Sequence, residues 1–121
     1  MNVKYTKDHE WVKLEGDIAL VGITTFAAEQ LGDIVFIDIN TVGETLEKDE
    51  VFGTIEAVKT VSDMLLPIGG EILEFNEALD SNPALINSDA MGAGWIVKIK
   101  PTNPADFEEL LSEEEYKDII G

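Results

Sequence analysis

The sequence predicts a mainly β protein, a flattened β-sandwich or barrel, with one short helix in its first half and two short helices at its C-terminus. The first 100 residues indicate the β class because short segments rich in β-branched and aromatic residues alternate there with clusters of Gly, Asn, Asp or Pro. A weak internal repeat indicates two layers. GDIVFID (32–38) and GEILEFN (70–76) share a turn glycine, an acid and an apolar strand, and another strand follows each after an acidic, turn-rich segment. Two such units favour two halves that pack face to face.

The chain is predicted to form one domain over residues 1–121. This length matches the usual size of a single domain, and a hydrophobic fraction of 45% is sufficient for a packed core despite the acidity. We expect a β core over residues 1–100 and a helical segment over residues 101–121, because the composition changes at Pro101.

The expected strands and the first helix follow from local composition. The strands lie in EWVKLEG (10–16), DIALVGI (17–23), DIVFIDI (33–39), VFGTIEAV (51–58), EILEF (71–75) and GWIVKIK (94–100). One helix interrupts them in TTFAAEQLG (24–32), where Thr25 is the predicted N-cap and Gly32 the terminator.

Two further helices are expected after Pro101. In NPADFEELL, Asn103 is a suitable N-cap and Pro104 suits the first helical position. In SEEEYKDIIG, Ser112 and Glu115 have the spacing of a capping box.

The charge excludes several classes of partner. The chain has a net charge of −17, with eight lysines and no arginine. Such a surface cannot neutralise phosphates, so DNA, RNA and anionic membranes are not expected as partners, whereas basic protein surfaces are.

Few residues are available for catalysis or metal binding. The absence of cysteine excludes disulfides, thiolate nucleophiles and Cys-based metal sites. His9 is the one histidine, so any Ser-His-Asp triad would have to use it as the base. No spacing of serines and acids in the sequence supports such a triad. Asp8 and Glu10 flank it, but alternate residues of an extended segment point to opposite faces. We therefore expect no metal site and no catalytic residue, and a structural role for His9 near Trp11.

The chain start and the hydropathy favour a cytoplasmic protein. MNVKYTKDHEW has neither an apolar h-region nor an Arg/Ser-rich leader, and the longest apolar stretches are too short to cross a bilayer. A monomer is expected.

A solitary lysine is the most distinctive feature of the sequence. Lys59, in EAVKTVSD (56–63), is the only cation between Lys48 and Lys98, an interval that contains nine acids. Residues 51–66 are β-prone throughout but too long for one strand, so a turn is required inside them. Lys59 at the tip of a hairpin would pair Val58 with Thr60, Ala57 with Val61 and Glu56 with Ser62.

Three roles are open to this lysine. It is an ordinary solvated turn lysine, a catalytic lysine, or the attachment point of a covalent group. A catalytic amine needs a depressed pKa, and Glu56 and Asp63 would instead favour the charged form. A carrier lysine needs only exposure, a rigid tip and a modifying enzyme.

Motifs along nearly the whole chain resemble one known family. They are YTKDHEWV, VGITTFAAEQLGDIVFIDI, VFGTIEAVKTVSD, GGEILEFNEAL, LINSD and GWIVKIK. In order and spacing they resemble the H proteins of the glycine cleavage system, which are lipoyl carriers. EAVKTVSD resembles the lipoylation motif of that family, with Lys59 at the modified position.

The resemblance implies a fold and a function. The fold would be the barrel-sandwich hybrid of lipoyl carriers. The protein would be a non-catalytic shuttle with lipoate in amide linkage to Lys59. Its partners would be the PLP-dependent decarboxylase (P protein), which loads an aminomethyl group, the aminomethyltransferase (T protein), dihydrolipoamide dehydrogenase (L protein) and the lipoate-attaching enzymes.

The resemblance also implies roles for acids near the lysine. The family shelters its loaded arm in a surface cleft, where Glu10 and Asp63 are the expected partners of the cationic amine. Glu56, Ser62 and Asp63 would help the modifying enzymes to recognise the hairpin. A solvated strand-edge position remains the alternative for Glu10.

Other classes of protein stay open. A biotin carrier would have methionines beside its lysine, where this chain has Val58 and Thr60. A lipoyl domain of a 2-oxo acid dehydrogenase would be shorter and would lack the C-terminal helices. An H-like protein that relays lipoate to other complexes would have an almost identical surface. An unmodified acidic interaction module would differ from every carrier in having no covalent group on Lys59.

Overall fold

The computed structural model describes residues 3–120, and its nine described strands all begin within the first hundred residues. The strands are β1 (Val3–Tyr5), β2 (Glu10–Glu15), β3 (Ile18–Ile23), β4 (Ile34–Asp38), β5 (Thr45–Leu46), β6 (Val51–Ala57), β7 (Val61–Leu65), β8 (Gly70–Phe75) and β9 (Val97–Pro101). The α-helices are α1 (Thr25–Leu31), α2 (Ala78–Ser81), α3 (Leu85–Asp89) and α4 (Glu113–Ile120), and a 3₁₀ helix covers Pro104–Glu109. No helix within residues 3–120 has the length and apolar character needed to cross a membrane.

The strands form two antiparallel sheets that enclose one main core. Within the described residues, a six-stranded sheet has the order β1-β2-β3-β9-β8-β5, and a three-stranded sheet has the order β4-β6-β7. Buried side chains from both sheets belong to one hydrophobic cluster, as Val21 and Ile99 of the larger sheet and Ile37 and Ile55 of the smaller sheet illustrate. The mainly β sandwich that the sequence predicts is therefore confirmed.

The two repeated units of the sequence lie in different sheets. The first unit supplies β4 and β6, which pair in the smaller sheet. The second supplies β8 and β9, which pair in the larger sheet. Each unit thus contributes one strand pair, and the two pairs belong to different sheets of the core.

The first helix lies where it was predicted, but its cap is one residue earlier. Thr24, not Thr25, is the N-cap, because its backbone is extended and its hydroxyl accepts the Ala27 N–H at 3.2 Å. Gly32 ends the helix with φ 81°, a conformation that favours glycine.

Both predicted C-terminal helices are present. Asn103 caps the 3₁₀ helix, where its side chain accepts the Ala105 N–H at 3.3 Å. The capping box at the start of α4 is complete. The Ser112 N–H donates to Glu115 Oε1 at 2.9 Å, and the Glu115 N–H donates to Ser112 Oγ at 3.2 Å.

Two short helices between β8 and β9 were not predicted. α2 and α3 have four and five residues, and neither has a side-chain hydrogen bond at its N-cap. Asn87 of α3 fixes this region to the end of α1. Its amide donates to the Gly32 carbonyl at 2.8 Å, and its carbonyl accepts the Ile34 N–H at 2.9 Å. These bonds set the direction in which the chain enters β4.

Candidate functional site

Lys59 lies in the tight turn between β6 and β7. The Ala57 N–H donates to the Thr60 carbonyl at 2.8 Å, so this last bond between the two strands encloses the two-residue loop Val58-Lys59. The Val58 N–H donates to the carbonyl of Asp33, just before β4, at 3.0 Å. The three residues Val58, Lys59 and Thr60 are exposed. The lysine therefore projects into solvent from a turn whose backbone is bonded on both sides.

The predicted register of the hairpin is wrong by one residue. Glu56 pairs with Val61, not with Ser62, and Ile55 pairs with Ser62. The prediction placed one residue at the tip, whereas the turn has two central residues, Val58 and Lys59. Glu56 and Ser62 are consequently not opposite each other.

A cleft of about 350 Å³ lies beside the hairpin. It is bounded by the start of β2, by one face of α1 and by β7. Its lining residues are Asp8, His9, Glu10, Ile23, Phe26, Ala27, Gln30, Leu31, Ile55, Ser62, Asp63 and Met64. Glu10 and Asp63, which are far apart in sequence, both line this cleft.

Glu10 is a buried acid, not a solvated strand-edge carboxylate. Only 5% of the residue is exposed. The Thr6 hydroxyl donates to its Oε1 at 3.1 Å, and the Leu65 N–H donates to its Oε2 at 3.1 Å. Burial raises the pKa of Glu10 from 4.5 to about 8, and the nearby charge of Asp8 adds to the rise, while the Thr6 and Leu65 hydrogen bonds oppose it. Because this pKa lies above 7, the Glu10 carboxyl is mostly protonated at neutral pH.

His9 links the cleft to the C-terminal helix. A hydrogen bond of 2.8 Å joins His9 Nδ1 to the Tyr116 hydroxyl, and a second of 2.7 Å joins that hydroxyl to Thr24 Oγ1. The His9 ring also packs against Phe26, with 4.8 Å between ring centroids. Its polar partner is thus Tyr116, which the sequence did not indicate.

The segment around His9 is not extended, contrary to the expectation. His9 has φ 67°, and β2 begins only at Glu10. Because of this turn, Asp8, His9 and Glu10 all line the cleft. Across residues 3–120, no group of three or more His, Cys, Asp or Glu side chains is arranged to hold a metal ion.

Several residues of the site have no strong signal in the sequence. Thr6 supports Glu10 through its hydroxyl, and Phe26 and Gln30 supply the helical wall of the cleft. The spacing of Phe26 and Gln30, four residues apart on α1, could have indicated a shared helix face. Nothing local could have indicated Tyr116, which is 107 residues from His9.

The chain is similar to a described family and to curated proteins of that family. The family model for the glycine cleavage H-protein matches residues 3–121. The glycine cleavage system H proteins of Bacteroides fragilis and Bacteroides thetaiotaomicron are each 61% identical over 120 residues, which cover 99% of this chain and 95% of each relative. The H protein of Symbiobacterium thermophilum is 49% identical over 115 residues, which cover 95% of this chain and 90% of the relative.

A solved structure is similar over almost the same length. The crystal structure of a glycine cleavage system H protein from Mycobacterium marinum superposes with a TM-score of 0.87 and 42% identity. The match covers 97% of this chain and 94% of that chain.

Proposed function

The chain belongs to the glycine cleavage H-protein family, and we propose that it is a lipoyl-bearing shuttle. In this function Lys59 holds lipoate in amide linkage, and the protein carries the aminomethyl group derived from glycine between the P, T and L proteins. The observation that carries the proposal is the exposed Lys59, which lies within EAVKTVSD in a hydrogen-bonded turn. A cleft lined by the buried acid Glu10 lies beside the same hairpin.

The residues around Lys59 suit a covalent lipoyl group. The lysine is exposed, so a modifying enzyme can reach its amine. The cleft, at about 350 Å³, is within the size range of small-molecule sites. Phe26, Leu31 and Met64 give it apolar walls for a dithiolane ring, and Glu10 gives it a polar end. When bound, the lipoyl group supplies a redox-active disulfide, which a chain without cysteine lacks.

Glu10 binds the amine of the cargo in this proposal. A cationic amine near a carboxyl group favours its ionised form, so the pKa of Glu10, about 8 without a cation, falls when the amine docks. The proton leaves to water, and a charge-assisted hydrogen bond forms inside a partly dry cleft. Shelter of the cargo in the cleft also keeps it from water, which would hydrolyse it.

Asp63 and Glu56, the exposed acids of EAVKTVSD, lie at the edge of the proposed site. Asp63 is exposed at the rim of the cleft, although its register with Thr54 puts its side chain in the outward-facing row of the sheet, and it is the second candidate partner of the amine. Together with Glu56 and Ser62, it forms the part of the hairpin that lipoate-attaching enzymes recognise. The protein itself performs no catalysis in this proposal, and its cytoplasmic location and monomeric state stay predictions.

Lipoylation of the purified protein tests the proposal. The apo protein is incubated with an ATP-dependent lipoate–protein ligase and free lipoate, and intact mass is followed by peptide mapping. One lipoyl increment on Lys59 is expected. Lys59→Arg should give none, while the matched control Lys48→Arg should be modified normally. An unmodified wild-type protein, under conditions where a known lipoyl domain is modified, would exclude the carrier function.

A second experiment separates glycine cleavage from lipoate relay. The lipoylated protein is mixed with P, T and L proteins, glycine, tetrahydrofolate and NAD⁺, and release of CO₂ is measured. In parallel it is offered, with a lipoyl-transferring enzyme, to an apo lipoyl domain of a 2-oxo acid dehydrogenase. Glycine-dependent CO₂ release supports the shuttle. Transfer of lipoate without glycine turnover would instead support the relay.

A further inference from the structure

The outer face of the three-stranded sheet has exposed apolar side chains next to Lys59. Phe36 of β4 pairs with Glu56 of β6, and Glu56 pairs with Val61 of β7, so these three residues form one row across the sheet. Val58 precedes Lys59 in the turn. We call Phe36, Glu56, Val61 and Val58 the tip face.

The apolar members of the tip face are among the exposed large hydrophobic residues of the described chain, and its two valines are the most exposed of these. Phe36 is 49% exposed, Val61 62% and Val58 70%. Facing residues of adjacent antiparallel strands have Cβ atoms about 5 Å apart, so Phe36 and Val61 each lie beside Glu56, which separates them by two strand spacings. An aromatic ring and two valines grouped in this way are typical of an interaction site rather than of scattered surface residues.

The charges around the tip face restrict its partner. The next row along the same strands pairs Asp38 with Thr54 and Thr54 with Asp63, and both acids are exposed. Glu56 lies inside the face itself. A complementary surface is therefore apolar with a basic rim. A second copy of this chain, with a net charge of −17 and the same acids, does not satisfy that requirement.

The distance to the reacting atom selects among basic partners. Before lipoate is attached, the reacting atom is Lys59 Nζ, at the end of a four-carbon stem. An enzyme that acylates this nitrogen must bring its active site to within one lysine side chain of the turn, so it must contact the residues beside Lys59. Enzymes that act on the attached group work at the end of a much longer arm and can dock elsewhere.

We propose that the tip face is the docking surface of the enzyme that attaches lipoate to Lys59, with Phe36 as its aromatic anchor. This inference rests on the proposed function. It adds residues outside the hairpin, because Phe36 lies on β4 and is distant in sequence from EAVKTVSD. An exposed aromatic at the centre of such a patch has the properties of an interface hot spot.

The attachment step is an acyl transfer to a neutral amine. The nitrogen of Lys59 attacks the carbonyl carbon of a lipoyl adenylate, which the enzyme makes from lipoate and ATP. The amide C–N bond forms, the C–O bond to AMP breaks, AMP leaves with the electron pair, and the amine proton passes to a base or to water. The tip face takes no part in these bond changes and acts only by holding Lys59 in the enzyme.

Steady-state lipoylation of apo variants tests the docking surface. With a lipoate–protein ligase, free lipoate and ATP, kcat/KM is measured for the wild type, Phe36→Ala, Val61→Ser and the conservative Phe36→Tyr. We expect Phe36→Ala to lower kcat/KM at least about tenfold, mainly through KM, as truncated interface anchors commonly do. Val61→Ser should cause a smaller loss and Phe36→Tyr little change. Leu73→Ala, a residue 39% exposed on β8 of the other sheet, is the matched control and should have no effect.

The outcomes distinguish this inference from the proposed function. If Lys59 of the wild type is not lipoylated at all, the carrier function itself fails. If the wild type is lipoylated and Phe36→Ala has unchanged kcat/KM, only the docking surface is refuted. A Phe36→Ala variant that is lipoylated normally but fails with P protein would assign the face to that partner and overturn the inference. Thermal melts of each variant exclude a loss caused by unfolding.

Discussion

The main-chain N–H of Leu65 donates a hydrogen bond to Glu10 Oε2 across 3.1 Å. This bond joins β7, the strand that leaves the Lys59 turn, to an acid that lines the cleft. β7 is an edge strand of the smaller sheet, and a backbone donor at such an edge needs a partner. Glu10 therefore has two roles, as a structural acceptor for the hairpin and as the polar end of the cleft.

Glu10 should make the stability of the protein depend on pH. Its folded pKa, about 8, is above the ordinary value of 4.5, so the folded state binds more protons than the unfolded state between these values. The stability that the neutral acid contributes is complete below pH 4.5 and is lost as the pH rises toward 8. The loss should be on the order of 5 kcal/mol at most.

Glu10→Gln measures that effect directly. The amide keeps an acceptor for the Leu65 N–H but cannot ionise, so most of the pH dependence should disappear. Urea unfolding at pH 5 should give similar free energies for the variant and the wild type, and at pH 8.5 the variant should be more stable. Glu15→Gln, at an exposed position on the same strand, is the control. A wild type whose free energy of unfolding is flat from pH 5 to 8 would contradict the high pKa.

The same substitution should shorten the lifetime of the carried amine. In Glu10→Gln the cationic amine loses a charge-assisted hydrogen bond, which is worth roughly 1.5–3 kcal/mol and corresponds to an increase of about tenfold or more in hydrolysis. The measurement is the release of formaldehyde and ammonia from the loaded protein after removal of P protein. Lipoylation itself should be unchanged. Equal lifetimes in the variant and the wild type would exclude Glu10 as the amine partner.

Lys59→Ala should abolish carrier activity without affecting the fold. The side chain is exposed, so its removal should change the free energy of unfolding by less than about 0.5 kcal/mol. Activity in the mixture of P, T and L proteins should fall to background. The checks are a urea melt and glycine-dependent CO₂ release. A large loss of stability would contradict the exposed position of the lysine.

Tyr116→Phe should destabilise the attachment of α4 to the core. The variant keeps the ring that stacks on Tyr5, with 4.9 Å between centroids, but loses the hydroxyl shared by His9 and Thr24. Because Thr24 is buried, its hydroxyl loses a partner, and we expect a cost of about 1–2 kcal/mol. Thermal melting measures it, with Ile119→Ala at an exposed position of α4 as the control. An unchanged melting temperature would show that the hydrogen bonds of the Tyr116 hydroxyl do not contribute to the stability of the protein.

Features with local signals were predictable from the sequence. The Ser112–Glu115 capping box and the terminating Gly32 specify helix ends through bonds within a few residues. Composition predicted six of the nine described strands, and the expected hairpin supplied β7, but the short strands β1 and β5 were not predicted. α2 and α3 were missed because four or five residues are too few to show a helical period, and neither has a side-chain cap.

Features that depend on distant contacts were not predictable in the same way. The burial of Glu10 depends on Leu65, 55 residues later, and the position of His9 depends on Tyr116. The hairpin register was wrong because the central pair Val58-Lys59 contains no Gly, Asn or Asp to indicate a two-residue turn. The resemblance located Lys59, Glu10 and Asp63 in the sequence. The raised pKa of Glu10 follows from its burial, which only the folded structure shows.

The turn that presents Lys59 has a further consequence. Its backbone is bonded within the hairpin, between Ala57 and Thr60, and to Asp33 before β4, so the anchor point has little freedom of its own. A group attached there meets the cleft in an intramolecular encounter, at an effective concentration that the length of the tether determines. The fraction of carriers with a sheltered cargo should therefore be the same in dilute and in concentrated solution. In the proposed shuttle, each partner enzyme must therefore compete with the carrier's own cleft, whose affinity for the tethered cargo does not depend on protein concentration.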